Sequence, residues 1–96
     1  MILHTLNTAG ISDSFRDCLR MAQAGDAILL LGDGVYNAIP GSETALALRD
    51  CEAKVMALDT DVAAAGLDQR LGPTLLVDMD GFVGLTEYYP RQMAWY

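Results

Sequence analysis

Short apolar runs and helix-like segments alternate along the chain. Ile2–Leu6 reads as a first strand, ended by Asn7-Thr8-Ala9-Gly10. A helix follows, capped by Ser12 or Asp13, because their side-chain oxygens can accept from unpaired backbone N–H groups. Phe15, Leu19 and Ala22 mark its apolar face at i, i+4 and i+7, and Gly25 is placed to close it as a left-handed cap. Ala27–Leu31 is continuously apolar, as a parallel strand covered on both faces should be. Gly32-Asp33-Gly34 makes a turn, Val35–Ile39 is ambiguous, and Glu43–Arg49 is helical in composition. Lys54–Leu58 predicts a third strand. Asp59 or Thr60 then caps a short helix through Ala65 that stops at Gly66. Thr74–Met79 predicts a fourth strand, Asp80 caps a helix from Gly81 to about Tyr88, and Gln92–Tyr96 forms a short last strand.

Strands separated by helices at this spacing indicate βαβ units. The expected fold is α/β: a single domain over residues 1–96, a three-layer αβα sandwich around a mainly parallel sheet of about five strands. Crossovers should be right-handed, but strand order does not follow from the sequence.

Composition narrows the function. The chain is 52% hydrophobic and 20% charged, which excludes disorder. Thirteen acids against six bases give a net charge of −7, and Lys54 is the only lysine. Such a surface repels phosphate backbones and lacks a polybasic membrane patch, so neither direct nucleic-acid binding nor membrane attachment is expected. The N-terminus has no signal-peptide pattern, and no apolar run spans a bilayer. Two unpaired thiols, Cys18 and Cys51, fit a reducing, cytoplasmic compartment.

The positions after the strands are acidic: Asp33, Asp59, Asp61, Asp78 and Asp80. That rim is poor for phosphate, and Gly32-Asp33-Gly34 lacks the third glycine of a dinucleotide fingerprint. Asp59, Thr60 and Asp80 are more simply helix caps, and Asp78-Met79-Asp80-Gly81 lacks the remaining ligands of a calcium loop. No metal and no cofactor is expected. His4, the only histidine, sits inside the first strand and is read as a satisfied structural residue. Cys18 lies on or beside the buried face of the first helix. It is either a small core residue or a thiol that accepts sulfane sulfur as a persulfide, which requires an exposed thiolate. Cys51, near a helix end, ranks below it. Tyr88, Tyr89, Met93 and Trp95 crowd the C-terminal stretch, either as a contact surface or as a cover for the end of the sheet.

Several blocks taken together resemble the TusB/DsrH family of small sulfur-relay proteins. They are Leu3-His4-Thr5-Leu6, Gly25-Asp26-Ala27-Ile28-Leu29-Leu30-Leu31 with Asp33-Gly34-Val35, and Lys54-Val55-Met56-Ala57-Leu58 with Asp61-Val62 and Gly66-Leu67. The series ends with Asp80-Gly81-Phe82-Val83-Gly84-Leu85-Thr86 and Pro90-Arg91-Gln92-Met93-Ala94-Trp95. The resemblance covers nearly the whole chain. It implies a DsrE-like fold of the Rossmann/flavodoxin type and a cytoplasmic heterohexamer with TusC-like and TusD-like subunits, or with DsrF-like and DsrE-like ones. Self-association is the alternative when partners are absent. The implied function is passage of persulfide sulfur between carrier proteins toward 2-thiolation of a tRNA wobble uridine, or DsrH-type sulfur oxidation. The principal active cysteine would lie on a partner, although Cys18 falls where DsrH-type chains carry a first-helix cysteine. The Asp33-Gly34-Val35 turn joins the C-terminal aromatics as candidate interface. A thiol sulfurtransferase using Cys18 and a free-standing binding module are the competing readings.

Overall fold

The computed structural model describes residues 1–96. Its core is a sheet of five parallel strands: β1 (Ile2–Leu6), β2 (Ala27–Leu30), β3 (Lys54–Leu58), β4 (Leu75–Val77) and β5 (Arg91–Trp95), in the order β4-β3-β2-β1-β5. Successive crossovers α1 (Asp13–Met21), α2 (Glu43–Asp50) and α3 (Asp59–Ala64) step the chain outward from β1 to β4. The last crossover, α4 (Met79–Tyr88), steps back past β1 to place β5 on its other side. Right-handed connections running in opposite directions put their helices on opposite faces. The two core layers show this division. Leu6, Ile28, Leu30 and Ala57 pack with Phe15, Leu48 and Val62 from α1, α2 and α3. Leu3, Ala27, Leu29 and Met56, at the alternate strand positions, pack with Phe82, Leu85 and Tyr89 from or just after α4. The expected αβα sandwich is present, with an all-parallel sheet.

Local chemistry sets the element ends. Ser12, not Asp13, caps α1 by accepting from Phe15 N at 3.1 Å, and Ser42 caps α2 through Ala45 N at 3.1 Å. Helix α3 ends in a Schellman arrangement: Leu67 N bonds Val62 O, Gly66 N bonds Ala63 O, and Gly66 takes φ +72°.

Other ends differ from the sequence expectation. Helix α1 stops at Met21 with an extended Ala22, so Gly25 (φ +91°) serves the following turn instead, where Asp26 N bonds Gln23 O. Asp59 and Thr60 lie inside α3, whose start has no side-chain cap. Strand β4 is only Leu75–Val77. Asp78 rather than Asp80 caps α4, accepting from Gly81 N at 2.7 Å, so the helix begins two residues early. The ambiguous stretch after β2 is a 3-10 segment, Gly32–Ala38. It runs so close to the end of β1 that a Cβ on Gly34 would lie 2.1 Å from the Leu6 carbonyl oxygen.

Candidate functional site

The two thiols occupy different settings. Cys18, on α1, is fully buried beside Phe15 in the larger core layer. Burial, reinforced by the nearby Cys51 thiol, pushes its pKa up to about 12. A persulfide carrier needs an accessible thiolate, whereas Cys18 is buried and its thiol is held toward the protonated form. Cys51 is half-buried at the C-terminal cap of α2, and its Sγ contacts the Ala53 carbonyl at 3.7 Å. Burial raises its pKa as well, against a smaller opposing contribution from backbone hydrogen bonds.

The interface candidates divide. Gly34 and Val35 are buried and position the 3-10 segment against β1, while Asp33 beside them is exposed. Tyr89 is buried against Leu3 and Leu29, and Tyr88 stands edge-on to it with ring centroids 5.0 Å apart. Burial, with the nearby Tyr88 phenol and Asp26 carboxylate, raises the Tyr89 pKa. Tyr88 itself is 67% exposed, and Met93 and Trp95 on β5 are partly covered. The fold thus leaves Asp33, Tyr88, Met93 and Trp95 at least partly reachable.

A further apolar surface is made by elements the sequence reading did not single out. Met79 and Val83, one turn apart on α4, are each about half exposed, and neighbouring β4 exposes Leu75. No residue of α4 is fully buried. The signal was present in Met79, Phe82, Val83 and Leu85, which spread apolar character around the helix rather than along one stripe.

Two carboxylates of the acidic rim hold backbone N–H groups, and Asp59 Oδ1 is buried without a partner. Asp61 accepts from Gly32 N at 2.7 Å, and Asp78 caps α4. No three His, Cys, Asp or Glu side chains come together to hold a metal ion. A cleft of about 360 Å³ lies beside α2, lined by Pro40, Leu46, Leu48, Val55 and Leu71. Its one charged side chain, Arg49, reaches Asp50 at 3.5 Å.

The most developed polar cluster surrounds His4. Its Nε2 lies 3.0 Å from Asp26 Oδ2, and Trp95 Nε1 donates to its Nδ1 at 3.1 Å. Asp26 also accepts from Ile2 N at 2.9 Å and from Gln23 N at 3.1 Å. Burial would raise the Asp26 pKa, but the hydrogen bonds from His4, Gln23 and Ile2 outweigh it and hold the carboxyl below its ordinary value. The structural role expected for His4 is therefore met by two partners far away in sequence.

Comparison with known proteins follows these lines. The sequence pattern of the family described as DsrH like protein matches residues 10–92. A protein named Protein TusB from Sodalis glossinidius (strain morsitans) is 40% identical over 95 residues, covering 98% of this chain and all of the relative. The Protein TusB of Salmonella dublin is 43% identical with the same coverage. The solution NMR structure of protein Tm0979 from Thermotoga maritima superposes with a TM-score of 0.69 at 26% identity, over 92% of this chain and 93% of that one. No helix here is long and apolar enough to cross a membrane. With a family pattern spanning most of the chain and full-length relatives at 40% and 43% identity, this chain belongs to the DsrH-like family that includes the TusB proteins.

Proposed function

We propose that this chain is a non-catalytic subunit of a cytoplasmic sulfur-relay complex. In this reading it helps pass persulfide sulfur between carrier proteins toward 2-thiolation of a tRNA wobble uridine. The family assignment supports the relay. The observation that carries the subunit role is the burial of Cys18, whose thiol is pushed up to about 12. Persulfide transfer begins with a thiolate attacking sulfane sulfur, so the working cysteine belongs on a partner chain. This chain contributes contact surface instead. The exposed Leu75, Met79, Val83 and Tyr88, with the reachable parts of β5, suit association with TusC-like and TusD-like subunits in a heterohexamer. A net charge of −7 suits a component that leaves tRNA to others.

Native mass spectrometry of the tagged chain, purified gently from its own cells, tests this. Two small α/β chains in equal number should co-purify, and cyanide-labile sulfur should map to a partner. Recovery only as a monomer or homodimer from cells containing those chains would sink the proposal. Cyanide-labile sulfur on Cys18 would move the chemistry into this subunit.

A further inference from the structure

The chain has one histidine and one tryptophan, and the fold joins them across 91 residues of sequence. An indole N–H can only donate, so His4 Nδ1 must accept from it. The ring proton then sits on Nε2 and points to the Asp26 carboxylate. His4 is therefore neutral here, with both ring nitrogens engaged and no part of the side chain exposed.

One added proton has a single place to go, Nδ1. The imidazolium would keep Asp26 as its counter-ion, so the buried charge is matched. The Trp95 contact is what fails. Two N–H donors would face each other where a donor and a lone pair had met at 3.1 Å, and the indole would lose its acceptor. We propose that His4 is a proton-operated latch on the C-terminal strand: neutral His4 holds the Trp95 indole, and protonated His4 releases it.

The surroundings leave His4 as the group that takes the proton. From the turn before β2, Asp26 is held charged by its three hydrogen-bond donors. Helix α1 packs over β1 and β5 and buries the neutral Cys18 thiol in that layer. Its own charges pair at the surface, Arg16 with Asp13 and Arg20 with Asp17. Strand β5 begins with an exposed Arg91, and the N-terminal amine of Met1 adjoins Ile2. Tyr89 lies in the opposite core layer. Once Trp95 is free, β5 keeps its pairing with β1, the bond from Asn7 N to the Trp95 carbonyl at 3.4 Å, and the bond from Ser14 Oγ to the Tyr96 carbonyl. It is an edge strand, so its far side offers no second anchor. By linkage, a partner that draws Trp95 away must raise the proton affinity of His4 by the same factor by which protonation favours that partner. This inference does not depend on the sulfur-relay reading.

Tryptophan fluorescence of the full chain, titrated from about pH 8 to about pH 5, tests it. The expected result is a one-proton red shift of Trp95 emission at constant far-UV circular dichroism, lost in His4→Gln. Flat emission, the same transition in His4→Gln, or a transition accompanied by loss of circular dichroism overturns the latch. Should His4→Gln not fold, nitrogen-15 NMR of the unaltered chain decides. The His4 ring should pass from the Nε2–H tautomer to the doubly protonated form while the Trp95 indole resonance moves with it. A ring that titrates while the indole resonance stays still overturns the proposal.

Discussion

Single residues carry most of the chemistry here, and Cys18 is the clearest case. Burial pushes its thiol up to about 12, so it stays protonated at neutral and mildly alkaline pH. Alkylation of the folded protein should therefore modify half-buried Cys51 first and Cys18 only as fast as the core opens, as peptide mass mapping over time will show. Equal labelling rates would mean that α1 is far looser than its packing suggests. Asp26 gives a pH signature. Its carboxyl is held below the ordinary value in the fold, so its stabilising contribution is fully present above about pH 4 and fades as pH drops through the folded value. Asp26→Asn should lower stability at neutral pH and flatten the acid limb of a denaturation-against-pH series. Asn37 is a third case. It is buried, donates to the Thr8 carbonyl at 2.8 Å and accepts from Gly10 N at 2.9 Å. Asn37→Leu leaves both backbone groups unmatched and should destabilise by about 1–3 kcal/mol in urea titration.

At the level of elements, Gly34 and α4 stand at opposite extremes. Gly34→Ala would drive a Cβ into the Leu6 carbonyl, and the three nearest atoms, in Leu6 and Asn7, are all backbone. A loss of about 3 kcal/mol or more, or failure to fold, is expected from denaturant unfolding. Helix α4 buries no residue fully and leans on its Asp78 cap, so Asp78→Ala should weaken it by about 1 kcal/mol. Its amides should exchange faster than those of β1 and β2 in the isolated chain, and slow down when a partner covers it. These elements also mark what could be read from sequence. Strands β1, β2 and β3 were legible because their apolar runs are bounded by turn residues. The run Thr74–Met79 reads as one strand, which leaves Asp80 rather than Asp78 as the cap and starts α4 two residues late. Only the backbone path, with Gly81 N turned to Asp78, distinguishes them. The 3-10 segment was ambiguous because its shape comes from contact with β1, a tertiary effect. The His4 cluster was invisible for the same reason. Its members lie near residues 4, 26 and 95, and no local pattern joins them.

For the molecule as a whole, charge and surface point the same way. With a net charge of −7 and one lysine, the isolated chain should show no retention of tRNA in a filter-binding assay at about 0.1 M salt. Binding there would require a basic surface that the composition lacks, and would overturn the view that other components hold the RNA. The uneven sheet cover has a matching effect. Three helices and the 3-10 segment build one core layer, while the other rests on α4 and the residues after it. The thinly covered side is where binding to another protein should change the solvent protection most.

The placement of β5 also sets an order of events during synthesis. Strand β1 is made first and can pair with β2 early, but its other edge is completed only by residues 91–95 of a 96-residue chain. Until then the nascent protein has one side of its first strand open and the buried Nδ1 of His4 without its indole donor. The sheet closes only once residues 91–95 are free to pair with β1. Loss of residues 91–95 would remove not a loose segment but the neighbour of the first strand.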